Sequence, residues 1–370
     1  MEHTVAGAIK EWRKHNKVIG QVKISYKKIL RKCRELSLAG GKYREYQGLC
    51  AKYQCARLTA VTKGLVPFED KPFKAYLNKR LSKRRKLDIA HGSLNFIEKT
   101  FHPDILPQLY NVADFGREMF SIPLKNGDKL DVKLLASPFQ EEGELMLQLF
   151  LGDRRVYSVC FSCTDDGRAY IGGIQGGKDI TNDEVKVLTK ELHGARPKNI
   201  IMSVLYGLLR YFNISTVYAI DSDYHVKSDL VKASYSSLWL EMGGEKQARG
   251  WYKLPAQEIK KSIEEVKSKH RSQFIKREGL KELIQINMAN ALQQITLPAR
   301  VNYRPSHVRR AAGGCCPSDD ILSSLARFQP DFILSQGFCG RSKMARPRVR
   351  QAVPVIHSSG FGMGTGFDDL

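Results

Sequence analysis

The run Leu192 to Lys198, LHGARPK, gathers an imidazole and two cations around a glycine and a proline. A chain that enters a helix at Pro197 presents free N–H groups beside Arg196 and Lys198, and Gly194 lets a ligand approach the backbone closely. That combination suits a phosphate or a carboxylate, and His193 could add acid or base chemistry. The competing reading is a plain helix corner, where glycine, proline and basic residues serve capping and solubility alone. A second candidate is Asp221-Ser222-Asp223-Tyr224-His225. If the preceding strand continues past Ile220, then Asp221, Asp223 and His225 share one side of it, as a metal site or a carboxylate-oriented base. Otherwise Asp221 and Ser222 cap the next helix. A third stretch, IGGIQGG from Ile171, lacks the spacing of a phosphate loop, so its glycines point to close backbone packing or to room beside a sheet edge. Cys160 and Cys163 form a C-x-x-C inside a strand-like run, where an odd spacing places them on opposite faces, and no second pair completes a zinc set. No metal site is expected. Trp239, Glu241 and Trp251 read as core and hairpin residues.

The elements that would position these groups follow from periodicity. Arg117–Ala136 holds two strand-like runs around Asn126-Gly127, a hairpin signal of the type I′ kind. Runs at 145–151, 155–163 and 168–174, separated by Gly152 and Asp165-Asp166-Gly167 turns, extend this to an antiparallel meander of five strands. Thr181-x-x-Glu184 is a capping box that opens a helix ending near Gly194. A second helix starts at Pro197 with Ile201, Val204, Leu205, Leu208 and Phe212 as its buried stripe, and Asn213 closes it. A strand ends at Asp221, a helix is expected over 226–235, and LWLEMGGEKQARGWYKLP reads as two short strands. Charged helices follow Pro255. The fold class is α+β, a mainly antiparallel sheet with packed helices.

Composition adds a strong asymmetry. The chain has 370 residues and a formal net charge of +22. Most of that charge lies in residues 1–90, where a basic amphipathic helix from Gln21 to Leu38 and the run Lys79, Arg80, Lys83, Arg84, Arg85 and Lys86 are interleaved with tyrosines. Three regions are expected: a basic helical arm over 1–90, an α+β core over 91–295 and an irregular Gly, Pro, Ser and Arg-rich tail over 296–370. The arm suits an anionic ligand, nucleic acid or an anionic membrane surface, or it is a helix packed on the core with a solvated basic face. Oligomeric state is not legible. The start carries no apolar signal segment, and the longest uncharged apolar run, Ile200–Leu209, is about half of the roughly 20 residues a span needs. A cytoplasmic location, at most peripheral to the inner membrane, is the expectation, and eight cysteines without a signal segment do not suggest disulfides.

IGGIQG, LTKELHGARPKNIIMSVLYGLLRYFNIS, LWLEMGG and GWYKLP occur in order, and together they resemble the VirK/YbjX family of bacterial proteins. The resemblance implies a domain of unknown function linked to virulence, envelope stress and resistance to antimicrobial peptides. It departs from the family at His91-Gly92, where a His-Tyr pair is usual. The element order is also similar to that of GNAT acyltransferases, in which the turn before the main helix grips the pyrophosphate of acyl-CoA. That resemblance implies acyl-CoA as a cofactor gripped at the turn of Gly194, Arg196 and Lys198, while clustering at helix starts and strand ends makes His193, Asp223 or His225 the expected proton-transfer groups. Here the turn has Pro197 and no following glycine, so one N–H of the usual cradle is missing.

Overall fold

The computed structural model describes residues 38, 40–53, 68–111, 116–230 and 234–297, all within one compact unit. The helix expected from Gln21 and the tail beyond residue 297 lie outside the described residues. Seven helices are described: α1 Gly41–Tyr53, α2 Lys83–Thr100, α3 Leu106–Tyr110, α4 Asn182–Glu191, α5 Pro197–Tyr211, α6 Tyr235–Glu241 and α7 Arg271–Gln293. Eight strands form one sheet: β1 Arg117–Pro123, β2 Lys129–Ala136, β3 Leu145–Leu151, β4 Arg154–Thr164, β5 Arg168–Gly176, β6 Thr216–Ile220, β7 Glu245–Gln247 and β8 Trp251–Leu254. None of the described helices is long and apolar enough to cross a membrane.

The sheet order is β1-β2-β3-β4-β5-β6-β8-β7. Every neighbouring pair is antiparallel except β5 with β6, which the α4–α5 crossover joins in parallel. An antiparallel meander needs only tight turns, whereas a parallel pair needs a crossover of a dozen or more residues, and the chain supplies one helical segment of that length. The β1–β2 turn differs from the mirror-image type expected. Only Gly127 has a positive φ, at 91°, and its N–H donates to Leu124 O at 3.2 Å, so Asn126 stays right-handed and a three-residue loop ends in a left-handed glycine.

Helix ends follow their local signals. Both halves of the Thr181–Glu184 capping box form, and Arg154 adds a 2.6 Å ion pair to Glu184. The α4 C-terminus winds through His193 and Gly194 in the left-handed region, with φ of 54° and 81°. Pro197 opens α5, whose face is buried almost along its full length. Between Asp221 and Gly243 the reading changes. The expected helix over 226–235 is replaced by short 3-10 turns at Ser222–Tyr224 and Ser228–Leu230, and LWLE lies in helix α6 rather than in a strand. Ser222 Oγ accepts from Tyr235 N at 2.7 Å, which starts α6 later than the periodicity suggests. Only the second half, around Gly250, makes the β7–β8 hairpin.

On one face of β4, Ser162 meets Tyr76 and Thr164 meets Gly92 of α2. The alternate residues Val159, Phe161 and Cys163 therefore point to the opposite face, over which α5 lies, backed by α7 where Gly207 meets Met288. The two cysteines are separated by the same alternation. Cys160 joins Leu135 and Met146, while Cys163 joins the main core. The described parts of the basic arm are not a separate layer. Tyr43, Tyr46 and Tyr76 are buried in the main core, and the boundary expected at residue 90 falls inside α2.

Candidate functional site

The parallel pair β5–β6 is in register only from Arg168↔Thr216 to Ile171↔Ala219. Beyond Ile171, β5 continues to Gly176 beside β4 alone, so the sheet forks at the carboxyl ends of the two strands. In open sheets with parallel strands, ligands bind in such crevices. Gly172 and Gly173 stand in the fork, where a Cβ on the first would collide with the Glu142 carbonyl and one on the second with the Glu142 carboxylate. The glycine-rich strand thus exists to admit the loop between β2 and β3, as its composition suggested.

Three segments fill the fork. The loop Ser137–Glu144 brings in Glu142, which is buried, and the turn after β6 brings in His225, which is 1% exposed. The segment Tyr76–Lys79 ties these together. Leu77 N donates to Glu141 O at 2.6 Å, Lys79 N donates to Tyr224 O at 3.0 Å, and Asn78 forms an antiparallel bridge with His225. An ion pair between Lys227 and Glu141 closes the outside.

Inside, the Glu142 carboxylate is the hub. Gln175 Nε2 donates to Oε2 at 3.1 Å, the Cys160 thiol is hydrogen-bonded to it, and His225 Nε2 faces Oε1 at 3.5 Å. Lys227 N donates to His225 Nδ1 at 3.0 Å, so Nδ1 is an acceptor and the proton of the neutral ring sits on Nε2. That N–H is buried and meets no acceptor in full hydrogen-bond geometry, the Gly172 backbone and Glu142 being the acceptors it faces. Tyr235 packs edge-on to the imidazole with centroids 5.9 Å apart, and the backbone of Ile174 binds its hydroxyl. Ser137 Oγ donates to Cys160 Sγ at 3.6 Å.

Burial sets the electrostatics. It raises the Glu142 pKa above the ordinary carboxylate value, with Lys227 opposing and Glu141 adding to the rise. It lowers the His225 pKa. It also raises the Cys160 pKa well above the thiol range, reinforced by Glu142, so the resting thiol is protonated and is not an activated nucleophile. The arrangement holds a carboxylate of raised basicity beside an imidazole that can donate from Nε2, both shielded from water. Such a pair can take a proton from one reacting group and offer one to another.

Of the residues proposed from sequence for catalysis or ligand binding, His225 alone lies in this cluster, beside Cys160 and the IGGIQGG strand. Asp221 turns away, because the chain leaves the extended conformation just after it, at Ser222. Its carboxylate caps the 3-10 turn at Asp223 N, accepts from Ser236 Oγ at 3.3 Å and meets Lys246 at 3.4 Å. Asp223 is exposed, so the three side chains do not share one side. At the other corner, Arg196 pairs with Glu241 of α6, and Lys198 Nζ lies 4.0 Å from the same carboxylate. Burial raises the Glu241 pKa, but the bond and charge of Arg196, with Lys198, outweigh it and hold the group below its ordinary value. The chain supplies the anion that this corner suits. Gly194 is covered by Gln273 of α7, and His193 carries a buried Nδ1 without a partner, its pKa lowered by burial and by Lys125 and Lys276.

Glu142, Gln175 and Tyr235 were not legible as a site. The one signal was the doubled glycine in β5, which announces a close neighbour without naming it. At the opposite end of the parallel pair a cavity of about 330 Å³ is lined by Phe96, Phe212, Tyr211 and Asn213, with the Lys99–Asp165 ion pair of 2.9 Å at its rim.

Comparison with known proteins places the chain among relatives of the same kind. The family model described as "Protein of unknown function (DUF535)" matches residues 35–290. The "Uncharacterized protein YbjX" of Escherichia coli (strain K12) is 25% identical over 229 residues, covering 58% of this chain and 68% of that protein. An uncharacterized protein of Haemophilus influenzae is 28% identical over 144 residues, 37% of this chain and 48% of its own length, so the match spans about half of that relative. Among solved structures, a cAMP-binding acyltransferase from Mycobacterium smegmatis and a point mutant of it each match with a TM-score of 0.27 and 8% identity. The mutant match covers 58% of this chain and 63% of that one, too distant a likeness to support any argument. With its family match running from before α1 to near the end of α7, the chain belongs to the DUF535 family, which includes YbjX among its relatives.

Proposed function

We propose that the fork between β5 and β6 is an acyl-transfer site. The observation that carries this reading is the buried Glu142–His225 pair at the point where the parallel strands β5 and β6 part. The element order supports it, since the meander, the helical crossover to a parallel strand, a helix and a closing hairpin follow the acyltransferase order suggested by the sequence. Glu142 takes the proton of an acceptor hydroxyl or amine as that group attacks the carbonyl carbon of a thioester. The new C–O or C–N bond forms, the C–S bond breaks, and the thiolate leaves with a proton returned through Glu142, while His225 Nε2–H steadies the oxyanion. Leu77 and Asn78 occupy the crevice, so substrate entry requires the Tyr76–Lys79 segment to part from the turn at 222–225. The acyl donor's phosphates would displace Glu241 from Arg196 and Lys198.

The test is thiol release from a panel of acyl-CoAs, with calorimetric titration of the same compounds. Turnover or binding that Glu142→Gln and His225→Asn abolish, while their thermal unfolding stays cooperative, is the expected result. Neither binding nor thiol release from any donor, or activity indifferent to both substitutions, would overturn the reading.

A further inference from the structure

The first turn of α2 is electrostatically unusual. It begins Lys83-Arg84-Arg85-Lys86, follows Lys79-Arg80 after Leu81 and the Ser82 cap, and contains no acidic residue. A helix N-terminus carries about half a positive charge, so cations there are unfavourable. Ser82 Oγ already caps the turn by accepting from Arg85 N at 3.2 Å, so no helical N–H is invoked as a site. The informative point is the lack of compensation. Among the described residues, none of these six cations forms an ion pair with a carboxylate. Asp88, the acid closest in sequence, is held by Lys42 at 2.8 Å.

Their partners are neutral or aromatic. Lys79 Nζ donates to Ser228 Oγ at 2.9 Å, Arg80 lies over the Tyr224 ring at 5.3 Å, and Arg85 donates to Tyr170 OH at 3.0 Å. Tyr170 continues the patch across the sheet. It stacks on the half-buried Tyr218 at 5.5 Å and 19°, and Trp251 packs edge-on against both. Lys253 is the register partner of Tyr218 and is exposed, as is Arg249, whose carbonyl accepts from Asn78 Nδ2 at 2.9 Å. Neither Lys253 nor Arg249 has a carboxylate partner among the described residues, although Glu245 stands opposite Lys253 on β7. Eight cations without an ion-pair partner among the described residues thus gather near two part-exposed tyrosines, Tyr218 on the sheet and Tyr224 in the turn after β6.

We infer that this face binds single-stranded nucleic acid, its phosphates on the arginines and lysines and its bases against Tyr218 and Tyr224. Regularly spaced phosphates match cations that no carboxylate holds, and guanidiniums suit phosphate oxygens in pairs. Half-exposed rings beside arginine are what unpaired bases stack on. A bilayer surface fits less well, since the exposed large apolar side chains Val187, Leu240, Ile259, Ile263, Ile275 and Ile286 all lie outside the patch. The inference does not rest on the acyl-transfer reading: Lys79 and Tyr224 also belong to the segments that close the fork, but none of the residues substituted in the test is part of the Glu142 cluster.

Fluorescence anisotropy on the full chain tests it, with a labelled single-stranded 12-mer, the matching duplex and vesicles of phosphatidylglycerol. The strand should bind more tightly than the duplex or the vesicles. Its affinity should fall with salt at a log–log slope of about −0.7 per phosphate engaged. Arg80→Ala with Arg84→Ala and Lys253→Ala should weaken binding at least tenfold and flatten that slope by about 2. Tyr218→Ala should weaken it with the slope unchanged. Lys27→Ala with Lys28→Ala, Arg31→Ala and Lys32→Ala is the control for the rest of the basic region. Preference for vesicles, no binding of the strand, or a loss that follows only the control substitutions would each overturn the inference, and thermal unfolding of every variant guards against misfolding.

Discussion

Replacing Lys71 by methionine should be among the most damaging single changes in this fold. Lys71 and Glu144 form an ion pair in which the side chains are 3% and 2% exposed. The rest of the network is closed: Glu144 N donates to Ser162 Oγ at 3.0 Å, Ser162 and Tyr76 hydroxyls bond at 2.9 Å, and Tyr76 OH donates back to Glu144 Oε1 at 3.1 Å. Lys71→Met keeps the chain length and the contact over the Phe68 ring, but leaves a buried carboxylate with one neutral donor. Breaking such a pair from one side costs about 3–5 kcal/mol, against a total stability of about 5–15 kcal/mol. At about 2–4 °C per kcal/mol for a domain of this size, the midpoint should drop by about 6–20 °C. Adding Glu144→Leu removes the stranded charge, and Tyr76 keeps Ser162, so the double variant should recover most of the loss. Thermal and urea unfolding of the wild type, both single variants and the double variant make a complete cycle. A loss below about 1 kcal/mol for Lys71→Met, or a double variant no more stable than it, would refute the claim that the charge is buried and uncompensated.

Three further outcomes follow from the fork and its surroundings. Gly172→Ala and Gly173→Ala should each cost about 2 kcal/mol or more, since the added methyl meets Glu142, whereas Gly127→Ala, with open space around it, should cost only the strain of its positive φ; urea midpoints decide this, and equal losses at all three sites would contradict the close approach. The Glu142 pKa is raised in the fold, so its cost appears as pH rises through the ordinary carboxylate value of 4.5 and persists above the folded value. His225 is lowered, so its cost appears as pH falls through 6.5. The midpoint advantage of Glu142→Gln over wild type should therefore grow from pH 4.5 to 7.5, and that of His225→Gln should grow from pH 7.5 to 5; flat differences across these windows would be inconsistent with burial of either group. Arg196→Ala should change stability by less than about 1 kcal/mol, because its pair with Glu241 is nearly half exposed on both sides, and a larger loss in denaturant would assign the corner a structural role.

The parts of the fold governed by local rules were legible from sequence. The capping box at Thr181, the helix opened by Pro197 and the five-strand meander each depend on residues within a few positions of one another, and each forms where the pattern places it. The segment from Asp221 to Gly243 was misread because its geometry is decided by distant partners. Asp221 bends into a 3-10 turn that Ser236 and Lys246 complete, and α6 starts where Ser222 accepts from Tyr235 N. The same distinction explains the candidate site. HGARPK advertised its charges, but its two cations meet Glu241, about 45 residues along the chain, and no local pattern links them. Glu142 sits in a Glu-Glu-Gly-Glu run that carries no local sign of burial. What buries it is a pair of glycines in β5, 30 residues later, and a histidine beyond β6. A buried carboxylate is costly unless its surroundings hold it, and here Gln175, Cys160 and His225 do so from three different elements. A site assembled in that way is visible only once the strands are in register, and its cost to stability is the physical reason to expect that it serves chemistry.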